Sequence, residues 1–153
     1  MKLHFEPNLQ FQLDAIEAVC DLFKGQERCR SVFTVSMPTK DQRDFLEQSE
    51  AMGIGNKLQL LDDEVLANLR EIQLRNGLRP DDTLQSRNFT VEMETGTGKT
   101  YVYLRTILEL NKRFGFNKFV IVVPSIAIKE GVYKSLQITR NHLRAIYDNE
   151  QYE

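Results

Sequence analysis

Apolar residues recur at helical spacing along much of this chain, and twice they crowd into short runs of strand length. Between Leu9 and Phe23 the apolar positions are Phe11, Ala15, Ile16, Val19, Leu22 and Phe23, and Asn8 stands where an N-cap would. From Asp62 to about Arg75, residues Val65, Leu66, Leu69 and Ile72 share one face; Asp62, Asp63 and Glu64 suit a helix N-terminus and Gly77 its stop. Pro80, Asp81 and Asp82 form a turn signal. The segment before Leu61 is mixed, with a strand-like Val32–Val35 and a charged stretch from Lys40 to Glu50. From Asn88 the order becomes a β-type run (Phe89–Val91), a glycine-bearing loop (Thr95–Gly98), a helix (Lys99–Phe114) and a continuous apolar run (Lys118–Val123). Pro124 bounds that run, Ser125 caps a helix from Ile126 to about Leu136, and Thr139 caps another to Tyr147. Strand, loop, helix, strand, helix predicts an α/β protein whose parallel sheet is covered on both faces.

At 153 residues the chain matches one ordinary domain, and 41% hydrophobic with 27% charged residues excludes collagen-like, disulfide-framework and acidic disordered classes. A net charge of −2 excludes a uniformly basic nucleic-acid coat. The charge is uneven, however. From Lys99 onward nine Lys/Arg stand against five Asp/Glu, a net +4, whereas residues 1–98 hold eleven against seventeen, a net −6, so a polyanion favours the C-terminal part. Cys20 and Cys29 are the only cysteines and read as reduced thiols, with no zinc-ligand spacing. No run approaches a membrane span and the N-terminus lacks a leader-like apolar stretch, which predicts a cytoplasmic protein.

The chemistry concentrates in Met93-Glu94-Thr95-Gly96-Thr97-Gly98-Lys99-Thr100. Gly96 and Gly98 let the backbone curl so that successive N–H groups form an anion nest, and the helix beginning at about Gly98 adds the positive end of its dipole. Lys99 supplies a point charge for β/γ-phosphates, and the Thr100 hydroxyl suits Mg²⁺. These residues predict a nucleoside triphosphate ligand. The strict P-loop pattern G-x-x-x-x-G-K-[ST] has Met93 at its first position, so the strand-like run before and the helix after carry part of the assignment.

The blocks Phe89–Thr100 and Phe119–Val132, the latter containing Pro124-Ser125-Ile126-Ala127-Ile128, resemble the restriction (Res) subunit of type III restriction-modification enzymes. These are superfamily 2 helicase-like ATPases, and the family tolerates a residue other than glycine at the Met93 position. The resemblance implies an incomplete RecA-like parallel sheet with flanking helices, the first motor lobe, over residues 1–153, with 25–87 an insertion in it. It implies ATP and Mg²⁺ as ligands, held by Thr95, Gly96, Thr97, Gly98, Lys99 and Thr100, with the Gln12 carboxamide meeting adenine. Pro124, Ser125 and Ile126 match a motif that contacts the phosphate backbone of DNA, and Ser125 is equally suited to a plain helix cap. Lys129, Lys134, Arg140 and Arg144 would extend that track or form a solvated face, whereas Arg105, Lys112 and Arg113 read as ordinary surface and His4 and His142 as structural. Implied partners are DNA and a modification (methyltransferase) subunit.

Hydrolysis also needs carboxylates that hold Mg²⁺ and orient water. Asp62, Asp63 and Glu64 precede the loop and suit a helix start, and Asp148, Asn149 and Glu150 lack a preceding strand. The family's acidic motif, second motor lobe and nuclease domain have no counterpart here, so the chain reads as the front part of a longer ATP-dependent DNA translocase and endonuclease that binds ATP without efficient hydrolysis. Two alternatives are a stand-alone nucleotide- or DNA-binding module or relic reading frame without catalysis, and an ATPase subunit completed by another chain.

Overall fold

The computed structural model describes residues 6–28 and 56–147. Among them lie four helices: α1 (Gln10–Asp21), α2 (Asp62–Arg75), α3 (Lys99–Phe114) and α4 (Ile126–Tyr147). The Val32–Val35 run, the 40–50 stretch, His4, Cys29 and Asp148–Glu150 fall outside the described residues.

Local chemistry sets most of the helix ends. α1 takes Leu9 as its N-cap instead of Asn8. The Asn8 backbone N–H donates to Glu6 Oε1 at 3.1 Å, and it is the Leu9 carbonyl that accepts from Gln12 and Leu13. α2 begins where expected, because Glu64 reaches back to accept the Leu61 N–H at 2.8 Å, half of a capping box, with three acids in the positive first turn. Asn68 Nδ2 donates to the Leu22 and Lys24 carbonyls, and Arg75 and Asp21 pair at 2.7 Å, which fastens α2 to α1. The turn after α2 is pinned by Arg70, which donates to the Asp81 and Asp82 carbonyls, and by Gln73, which exchanges bonds with Asp81.

α3 is the central element. One face packs on α1 through Ile16, Cys20, Val102 and Leu110, closed at its end by Phe116, with Ala15, Val19, Phe23, Met93, Phe114 and Phe119 around them. Burying each large side chain there contributes about 1.5–3 kcal/mol. Burial pushes the Cys20 thiol up to about 12, so it behaves as a small apolar group and not as a nucleophile. The opposite face of α3 packs on α4 through Tyr101, Leu104, Leu143 and Tyr147. Arg105, expected on the surface, is buried at 8% exposure, where it donates to the Pro7 carbonyl and to Tyr147 Oη. Arg113 is also engaged, bridging Glu17 on α1 and Glu109 on its own helix; Lys112 remains exposed.

Two further expectations fail. α4 is one helix from Ile126 to Tyr147, not two. Thr139 is buried, and its hydroxyl donates back to the Ser135 carbonyl at 2.8 Å, so it satisfies the helix from within instead of capping a new one. The incomplete RecA-like parallel sheet is also absent: no strand forms among the described residues. A strand exists only through ladder hydrogen bonds to a neighbour, and neither Phe89–Val91 nor Lys118–Val123 forms a ladder among the described residues. Val120 and Val122 are 89% and 86% exposed, the reverse of a run covered on both faces. At Asn117 and Lys118, backbone groups that a strand would engage go to the Asn56 carboxamide instead. Among the described residues no helix is long and apolar enough to cross a membrane.

Candidate functional site

The glycine-bearing loop lies directly before α3, whose sixteen residues begin at Lys99. Gly98 is the N-cap, at φ 84°, and its carbonyl accepts the Val102 N–H. Gly96 also sits at φ 84°, with open space where a Cβ would stand. Both backbones occupy the left-handed region that favours glycine. Thr95, Gly96, Gly98 and Lys99 are exposed, while Thr97 and Thr100 are half-buried. The loop closes on itself: Thr97 Oγ1 donates to the Glu94 carbonyl at 2.7 Å and Lys99 Nζ donates to the same oxygen at 2.5 Å. Lys99 therefore folds back onto the loop.

Gln12, on the first turns of α1, backs this loop. It is 7% exposed, and its Nε2 donates to the Thr97 carbonyl at 2.8 Å. Its Oε1 is buried without a hydrogen-bond partner. A buried acceptor left unpaired costs about 1–3 kcal/mol, and such a group behind an exposed loop suits a ligand that brings a donor of its own. Exposed glycines in an open cradle, a cation at the first helical position, a hydroxyl at the second and the positive end of a four-turn helix together fit a magnesium-bound polyphosphate.

Met93, at the position where the strict loop pattern has glycine, is half-buried and packs against the α1–α3 core, so it anchors the loop's base. Ser125 Oγ accepts the Ile128 N–H at 3.3 Å and its carbonyl accepts the Lys129 N–H, so Ser125 caps α4 as the sequence suggests. Pro124, Ser125 and Ile126 are all exposed, as are Lys129, Lys134 and Arg140, and Arg144 is half-buried. Asp62, Asp63 and Glu64 form the first turn of α2, and Asp62 pairs with Arg87 at 2.6 Å. Two features escaped sequence reasoning. The Glu94 carbonyl that holds Lys99 is a backbone group with no residue signature. Tyr101, next to Thr100, meets His142 Nε2 of α4 at 2.9 Å across 41 residues, a separation no local pattern reports.

The family model described as "Type III restriction enzyme, res subunit" matches residues 9–152. The chain is 34% identical over 151 residues to the EcoPI Res subunit of Escherichia phage P1, covering 95% of this chain and 14% of that protein. It is 39% identical over 99 residues to the EcoP15I Res subunit of Escherichia coli, covering 61% of this chain and 10% of the relative. With the StyLTI Res subunit of Salmonella typhimurium the identity is 48% over 68 residues, 43% of this chain and 7% of the relative. The chain thus spans a seventh or less of these relatives' length, and it belongs to the type III restriction enzyme Res subunit family.

Proposed function

We propose that this chain is the ATP-binding N-terminal segment of a type III restriction enzyme Res subunit, a machine that uses ATP to move on DNA and to cleave it. The observation that carries the reading is the Thr95–Thr100 cradle at the start of α3, with Lys99 in place over it and Gln12 behind it. Mg·ATP supplies the free energy of phosphoryl transfer; the residues of this chain bind and orient it. Backbone N–H groups of Thr95 to Lys99 take the phosphate oxygens, the Lys99 ammonium neutralises charge at the β/γ end, and the Thr100 hydroxyl holds Mg²⁺. Gln12 Oε1 accepts from the adenine amino group while its amide nitrogen, with two hydrogens, keeps one for Thr97 and offers the other to the ring. On the same reading, Pro124, Ser125 and Ile126 contact the DNA phosphate backbone, where the exposed start of α4 offers N–H groups and a hydroxyl. The partner is a modification (methyltransferase) subunit.

The test is titration of the chain with Mg·ATP, followed by calorimetry, alongside Lys99→Ala. Loss of one charge-assisted phosphate contact lowers affinity by roughly ten- to a hundredfold, and hydrolysis by the segment alone stays near background. Equal affinity in the variant removes the assignment. Hydrolysis well above background that Lys99→Ala abolishes removes the claim that the segment needs the rest of a longer motor.

A further inference from the structure

The Gln12 carboxamide faces the loop backbone and, on the nucleotide-binding reading, a base as well, and the two contacts would have separable consequences. Its nitrogen meets the Thr97 carbonyl at 2.8 Å, and a Cβ built on Gly98 would stand 2.8 Å from the same nitrogen. The orientation of the amide is dictated: flipped, it would set oxygen against the Thr97 oxygen, acceptor to acceptor. The peptide joining Thr97 to Gly98 is trans, so its C=O and N–H point in opposite directions. Holding the carbonyl inward on Gln12 therefore aims the Gly98 N–H away from Gln12, the side a phosphate would take on the nucleotide-binding reading. Glycine at 98 makes rotation of this peptide cheap, because no Cβ resists it, and the next carbonyl, that of Gly98, accepts the helix bond from Val102 N–H.

We propose that Gln12 is a positioning residue for the phosphate loop: by gripping the Thr97 carbonyl it locks the 97–98 peptide with its N–H donor facing the polyphosphate, whatever base is attached. The proposal rests on the nucleotide-binding reading and deepens it. Gln12 is thereby a structural link between α1 and the nest, 85 residues away in the chain, and it acts on phosphate affinity without touching phosphate.

Inorganic tripolyphosphate, which has no base, separates the two roles. Gln12→Met keeps the side-chain length in a buried position and removes the donor, and Gln10→Ala, an exposed neighbour bonded to Asp14, serves as the control. With helix content checked by circular dichroism, Gln12→Met weakens Mg·tripolyphosphate by about tenfold, as expected for one buried hydrogen bond, weakens Mg·ATP by at least as much because the adenine contact goes with it, and Gln10→Ala changes neither. If Gln12→Met weakens ATP and leaves tripolyphosphate within twofold, Gln12 reads only the base and the proposal is wrong while the nucleotide reading stands. If the unaltered chain binds neither ligand, the nucleotide reading falls first. A measurement on the unaltered chain stands apart from any folding defect: the Gly98 amide proton moves downfield when tripolyphosphate is added, and an unmoved Gly98 signal beside shifting neighbours overturns the locked-peptide arrangement.

Discussion

A side chain at position 98 would have to be carried at φ 84° and would press its Cβ to 2.8 Å from Gln12 Nε2. The first strain costs roughly 1–2 kcal/mol for any L residue, and the second displaces a buried amide from its carbonyl. Gly98→Ala therefore destabilises the chain by about 2 kcal/mol or more, and Gln12→Ala in the same chain relieves only the clash. The double variant should be less destabilised than the sum of the singles, by about 1 kcal/mol in urea denaturation; strict additivity would mean the two residues do not press on each other. The turn of the loop was legible in the sequence because it is local: Gly96 and Gly98 mark the two backbone positions at φ 84°, and α3 starts directly after them. What stands behind it was not. Nothing in the residues around Gln12 reports that its amide meets Thr97, and only the family resemblance singled it out. Tyr101 and His142 lacked even that signal.

Helices were legible where the apolar period is local and the ends carry their own stops, as the bounds of α2 and α3 show. The pattern failed where a residue had two local options, as at Thr139, whose hydroxyl takes the backbone bond four residues earlier and lets α4 run on. Between elements, one polar contact has a definite pH signature. Hydrogen bonding to Arg113 is the chief effect on Glu17 and holds its carboxyl below the usual glutamate value, against the opposing effect of burial. A depressed acid stabilises the fold above the unfolded value of 4.5, and that contribution is lost as pH falls through the lower folded value. Both side chains are about a third or more exposed, so screening limits the pair to roughly 0.5 kcal/mol. Glu17→Gln should accordingly lower stability by about that much at pH 7 and by nothing measurable once pH lies below the folded value. A deficit that persists unchanged into acid would assign the effect to packing instead of charge.

At the scale of the molecule, the α1–α3–α4 stack buries its helix faces well and leaves a different set of apolar side chains in water. Short apolar runs announce burial, but they do not name the neighbour that provides it, and this is why Lys118–Val123 was read as a covered strand. Beside it the start of α4 is also uncovered, with Ile126 79% and Tyr133 60% exposed. Val120, Val122 and Ile126 thus expose apolar side chains close together in sequence, and exposed apolar surface drives association. The chain by itself should therefore associate as its concentration rises, with sedimentation velocity showing mass above the monomer. Val122→Lys removes an 86% exposed apolar side chain without touching the core clusters around Ile16 and Leu143. It should shift the distribution toward monomer while leaving thermal stability of the monomer unchanged within about 0.5 kcal/mol, as for a surface substitution. If Val122→Lys instead unfolds the chain, the run is buried in solution and the exposed surface does not persist there; if association continues undiminished, another face carries it, and the apolar side of α4 at Tyr133 and Leu136 is the next to substitute.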